Sequence, residues 1–112
     1  DGTPERQFMF SEDIARLTLW LYNNYTNLEV SPMLCAPDCE ISIRHVVDCI
    51  VREVGFTGPI CYGTENGQLK KTADVIQCDH DVVFTSFEEG ISKTVKWFKT
   101  KVPGGTMSSI LN

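Results

Sequence analysis

Apolar residues recur at helical spacing in three stretches of this chain, and each stretch begins with a residue suited to cap a helix. In "SEDIARLTLWLYNNY", Ser11 stands as the cap, Glu12 and Asp13 place negative charge in the first turn, and Ile14, Leu17 and Leu21 follow at intervals of three and four. The spacing predicts a helix ending near Asn23-Asn24. Leu19 and Trp20 fall off the stripe, so this helix is apolar over most of its circumference and needs cover on more than one side. "EISIRHVVDCIVREVG" sets Ile43, Val46, Val47, Ile50, Val51 and Val54 on one face, with Ser42 as cap and Gly55 where a helix closes. "SFEEGISKTVKWF" opens with Ser86-x-x-Glu89, a capping box, and carries Ile91, Val95 and Phe98 as its stripe.

Between the helices the period shortens. "LEVSPMLCA" mixes apolar and small residues around a Pro and runs into a Pro-Asp turn, which suits a short strand. A second short strand is expected at Pro59 to Tyr62, followed by a turn at Glu65-Asn66-Gly67 and a polar exit into Lys70 and Lys71. "TADVIQC" has room for one or two helical turns, and "VPGGTMSSILN" reads as a frayed tail over residues 103–112. Helix, strand, helix, strand, turn, short helix and helix make an α/β arrangement, without repeats or low-complexity segments.

Charge and composition narrow the partners. A chain of 112 residues with 42% apolar content supports one compact domain, and 15 acidic against 10 basic residues leave a net charge of -5. That balance argues against a nucleic-acid backbone or an anionic membrane as the main partner, so any anion site has to be local. Lys93, Lys96, Lys99 and Lys101 alternate with apolar positions at helical spacing and read as a solvated face. No apolar run approaches the roughly 18 residues of a transmembrane helix, and a soluble, cytoplasmic protein is expected. The five cysteines, Cys35, Cys39, Cys49, Cys61 and Cys78, are odd in number and include no C-x-x-C, which is unlike a secreted disulfide framework.

Three groups of residues carry possible chemistry. Arg6 lies beside the apolar anchor Phe8, just ahead of the first helix, where a guanidinium suits bidentate capture of phosphate or carboxylate oxygens; the pattern alone favours a surface arginine. Asn66-Gly67 with Lys70-Lys71 brings an amide and two ammonium groups to one turn, although Asn-Gly is also a strong hairpin signal. The series Cys35, Cys39, His45 and Cys49 has roughly the length of a zinc knuckle, but three residues separate its first two cysteines where two are usual, and no metal site is expected. In the helix, His45 and Cys49 are expected on the side away from the apolar stripe. There is no Gly-rich phosphate loop, no G-x-S-x-G, and no pairing of a nucleophile with a base. The residues read as part of a binding site without a catalyst.

"GTPERQFMFSEDIARL", "EISIRHVVDCIVREVGFTGPICYGT", "NGQLKKTADV" and "FEEGISKTVKWF" together resemble the C-terminal third of the GDP-L-fucose synthase family, in order from Gly2 to about Lys101. These are NADP-dependent GDP-4-keto-6-deoxy-D-mannose 3,5-epimerase/4-reductases of the extended short-chain dehydrogenase group. Arg-x-Phe followed by an acidic pair and a helix is shared with many nucleotide-sugar epimerases and dehydratases, whereas "NGQLKKTAD" is narrower. The resemblance implies a homodimeric enzyme in two lobes, with NADP on a Rossmann lobe outside this chain and residues 1–102 forming the smaller portion that grips a GDP-sugar. Residues 8–35 would pack on the Rossmann lobe. Arg6 matches an arginine of the family's nucleotide pocket, Lys71 a basic residue facing the phosphates, and Asn66 stands where the family commonly has a substrate-contacting Asp. The family's catalytic residues lie upstream of this region, so the chain is expected to be a truncated portion, inactive alone. The alternatives are a portion of another nucleotide-sugar epimerase or dehydratase, and a stand-alone non-catalytic nucleotide-sugar binding module.

Overall fold

Six elements follow one another in the computed structural model, which describes residues 1–24, 35–64, 67–73 and 81–101. They are β1 (Glu5–Arg6), α1 (Ser11–Asn24), β2 (Ile41–Ser42), α2 (Ile43–Val54), β3 (Lys70–Lys71) and α3 (Phe87–Lys101). This is the expected α/β class. The strand read in "LEVSPMLCA", the Glu65-Asn66-Gly67 turn, the helical turns in "TADVIQC" and the tail lie wholly or largely outside the described residues.

β1 is the middle strand of a three-stranded sheet of order β2-β1-β3. β2 runs antiparallel to it with Glu5 opposite Ser42 and Arg6 opposite Ile41, and β3 runs parallel with Glu5 beside Lys70 and Arg6 beside Lys71. Two-residue strands form because their flanks continue the bonding: the Glu5 amide donates to Leu69 O at 2.9 Å, Ile43 N to Pro4 O at 2.9 Å and Arg44 N to Gly2 O at 2.8 Å. Gly2 is required there. Its φ is +78°, and a Cβ would stand 2.8 Å from the Tyr62 ring and 3.1 Å from the Arg44 backbone nitrogen.

The strand expected at Pro59–Tyr62 does not form; residues 59–62 are exposed and outside the sheet. Both edges of β1 are already taken by β2 and β3. Tyr62 instead packs against Gly2 and lies 5.7 Å beneath the Arg44 guanidinium, so this segment is held as a loop over the start of α2.

Ser42 ends β2 and caps α2 at once. Its extended backbone (φ -71°, ψ 148°) suits both roles, and its hydroxyl accepts from His45 N at 3.2 Å. Gly55 closes α2 in the left-handed conformation, its N–H donating to Val51 O at 2.9 Å, as expected. Ser86 caps α3 by accepting from Glu89 N at 3.3 Å, while the Glu89 carboxylate turns to Lys93 at 2.8 Å, so only half of the capping box forms. The lysines of α3 are exposed, with Lys99 reaching Glu53 O at 3.2 Å.

α3 packs on α2, and the position of its first turn corrects one expectation. Cys49, placed by spacing on the face away from the stripe, is the most buried residue of α2 at 1% exposure, because Phe87 and Glu88 cover the His45 side of that helix. The stripe residues Val46, Val47, Ile50 and Val51 are half-buried instead, and Val54 is exposed.

A carboxylate ties α1 to the segment before α3. Asp13 is fully buried, accepting from the Thr85 amide at 2.8 Å and the Thr85 hydroxyl at 2.9 Å, with Arg16 closing the cluster. Burial works to raise its pKa, but the Thr85 bonds and then Arg16 outweigh that and hold the carboxyl below its ordinary 3.8. A depressed folded pKa means stability that is present above 3.8 and lost as pH falls through the folded value. Asp13→Asn should therefore lower urea-unfolding stability at neutral pH by about 1.5–3 kcal/mol. The gap to the native sequence should shrink as pH drops below 3.8; a gap of constant size down to roughly pH 2 would contradict the assignment.

Candidate functional site

Alternation along a strand sends neighbouring side chains to opposite faces, and the register of this sheet decides which charges meet. Glu5 and Lys70 share one face with Glu40, whose carboxylate lies 2.5 Å from Lys70 Nζ. The Lys70 ammonium holds the Glu40 carboxyl below the usual carboxylate range. Arg6 and Lys71 share the other face as register partners. Of the two lysines in "QLKKTA", then, Lys70 is neutralised within the sheet, and Lys71 stands beside Arg6.

Arg6 is half-buried and held from two sides. Nη1 donates to Glu5 O at 2.5 Å and Nη2 to Gln68 O at 2.9 Å. A guanidinium has five N–H donors, so most of its donor capacity remains. Lys71 is exposed, and among the described residues its ammonium has no partner. Two cations side by side on one sheet face, one held by two backbone carbonyls and one exposed, can bind two anionic oxygens at once. Asn66 lies outside the described residues.

One side chain that the sequence reading passed over braces this arrangement. Gln7, the residue after Arg6, donates from Nε2 to Pro37 O at 3.1 Å and Ala73 O at 3.2 Å, and its Oε1 accepts from Ala73 N at 2.8 Å. Both of its amide hydrogens and its oxygen are used in tying the exits of β1 and β3 to each other and to the segment before β2. No local motif marks such a glutamine, since its partners are 30 and 66 positions away.

His45 and Cys49 come together with Glu88 rather than with Cys35 and Cys39. His45 Nε2 lies 3.0 Å from Glu88 Oε1 and 3.5 Å from Cys49 Sγ. The Glu88 carboxyl is held below its usual range, first by its own backbone amide at the start of α3 and then by His45.

The architecture is an α/β portion of a Rossmann-type enzyme fold. A GDP-L-fucose synthetase from Naegleria fowleri, crystallised with NADP bound, superposes with a TM-score of 0.78 at 34% identity, covering 88% of this chain and 32% of that one. A second crystal structure of the Naegleria fowleri synthetase gives 0.77. In sequence, the GDP-L-fucose synthase of Dictyostelium discoideum is 35% identical over 104 residues, and a probable GDP-L-fucose synthase of Drosophila melanogaster is 34% identical over 104; each match covers 87% of this chain. No family model matches the chain. The chain is a homologue of the C-terminal portion of the GDP-L-fucose synthases, and it spans about one third of the length of these relatives.

If Gln7 braces the two exits, Gln7→Leu should make amide hydrogen exchange at Ala73 at least about tenfold faster, since a donor loses its acceptor and the strand end opens. Unchanged protection at Ala73 would show that the sheet holds itself without the glutamine.

Proposed function

We propose that this chain is the GDP-gripping C-terminal portion of an NADP-dependent GDP-4-keto-6-deoxy-D-mannose 3,5-epimerase/4-reductase that makes GDP-L-fucose. The observation that carries the reading is the β1–β3 register, which sets Arg6 and Lys71 side by side in a chain homologous to GDP-L-fucose synthases. A sugar-nucleotide pyrophosphate is the ligand whose adjacent negative charges suit such a pair. Asn66, two positions before Gln68, adds an amide toward the guanine or ribose side in this reading; it lacks the charge of a carboxylate but still accepts through its oxygen.

The chemistry of the whole enzyme is deprotonation beside a 4-keto group at two carbons, followed by reduction, and these 112 residues supply positioning for it. No G-x-G-x-x-G occurs among them, and NADP is bound in this reading by another lobe. NADPH supplies the hydride. Binding energy from the remote nucleotide holds the sugar in place for catalytic groups outside the chain, which alone is inactive. Ile14, Leu19 and Tyr22 of α1 are 51%, 62% and 85% exposed, and residues 8–35 would meet the Rossmann lobe through this face. The family resemblance brings a cytoplasmic homodimer with it. Among the described residues no helix is long and apolar enough to cross a membrane.

In the full-length enzyme, Arg6→Ala and Lys71→Ala should each weaken GDP-sugar binding by about 1.5–3 kcal/mol, roughly 10- to 150-fold in Kd. Calorimetric titration against GDP- and UDP-sugars reads this directly. Unaltered affinity in both variants, or equal binding of the UDP-sugar, would contradict the assignment.

A further inference from the structure

The cluster of His45, Cys49 and Glu88 has no part in gripping a nucleotide, and its geometry asks for an occupant. The two α2 residues stand one turn apart, Glu88 faces them from the first turn of α3, and Nε2, Sγ and Oε1 all lie within 4.8 Å of one another. A single ring nitrogen serves both contacts: Nε2 is 3.0 Å from the carboxylate oxygen and 3.5 Å from the sulfur. Protonated, it donates to the carboxylate; deprotonated, it accepts from a thiol. It cannot do both, and Cys49, at 1% exposure, is then left with the Arg52 guanidinium, whose Nη2 donates to Sγ at 3.3 Å. A cation among the three atoms would satisfy them together.

The separations suit zinc. With Zn–N of about 2.0–2.1 Å, Zn–S of about 2.3 Å and Zn–O of about 2.0–2.2 Å, tetrahedral coordination places N and S about 3.5 Å apart and N and O about 3.4 Å apart. The N–S separation is already met at 3.5 Å; Glu88 Oε1, 3.0 Å from Nε2 and within 4.8 Å of Sγ, completes the set once its exposed side chain turns toward the sulfur. Imidazole, thiolate and carboxylate together favour a borderline-soft ion over magnesium or calcium. Arg52 Nη2 donates to Cys49 Sγ at 3.3 Å, and this exposed side chain is free to swing outward as the ion enters.

We propose that His45, Cys49 and Glu88 form a three-ligand site for one zinc-class divalent ion, which clips α2 to α3 and leaves a fourth coordination position open. Cobalt(II) titrated into the full-length protein, followed by zinc displacement, tests this. Saturation is expected at one equivalent for this site, with a thiolate-to-cobalt charge-transfer band that Cys49→Ser abolishes. Glu88→Gln and His45→Ala should weaken affinity by at least about tenfold while keeping the band. Glu88 is exposed, so its variant keeps the test sound even if Cys49→Ser fails to fold. Absence of the band in the native sequence, unaltered affinity in Glu88→Gln, or loss of the band in Cys39→Ser or Cys61→Ser instead would overturn the proposal.

Discussion

Glu5 and Arg6 pair on both edges at once, with Ile41–Ser42 antiparallel and Lys70–Lys71 parallel, and the placement of α2 and of the cation pair follows from that double pairing. Strands this short contribute little alone. They persist because each is continuous with something stronger: Ser42 is also the cap of α2, Gly2 and Pro4 bond the first residues of that helix, and Gln7 grips the exit of β3. The same register separates the two lysines, giving Lys70 to Glu40 and Lys71 to the face of Arg6. A slip of one residue would exchange their roles and remove the cation pair.

The helical side is held more by polar ties than by a deep core. Among the described apolar residues only Leu17 and Cys49 are fully buried, while Ile14, Leu19, Tyr22, Val83 and Trp97 are largely exposed. Asp13 compensates in part, linking α1 to Thr85 through charge-assisted bonds in a dry setting where their loss would leave buried groups unpaired. The proposed docking of α1 on a Rossmann lobe would bury the apolar face that this portion leaves open. Function and stability would then share one surface, since the lobe that supplies catalysis would also supply the missing cover.

What could be read in the sequence was what is encoded locally. Stripes gave all three helices, and Ser42, Gly55 and Ser86 act where their types predicted, whereas Ser11, expected as a cap, is already helical and Phe10 takes the cap position, its carbonyl accepting from Ile14 N at 3.3 Å. Arg6 and Lys71 were singled out by residue type and family resemblance, but only the fold sets them side by side. The sheet was illegible because two residues cannot display a period of two, and a strand expected from composition at Pro59–Tyr62 lost its place to pairings distant in sequence. Asp13 looked like an ordinary first-turn acid, since nothing nearby reveals that Thr85 will cover it. Cys49 was misplaced because helical spacing fixes the stripe and not the direction from which α3 approaches. The misses at the sheet, at Asp13 and at Cys49 came from partners tens of residues away.

The central claim is that Arg6 and Lys71 act on one ligand, and a double-mutant cycle of Arg6→Ala and Lys71→Ala on GDP-sugar binding in the full-length enzyme tests it most directly. Two cations on one pyrophosphate should show a coupling of about 0.5–3 kcal/mol, with the double variant losing less than the sum of the single losses. Losses that add to within about 0.3–0.5 kcal/mol would mean that the two residues act apart, and the shared phosphate grip would fall.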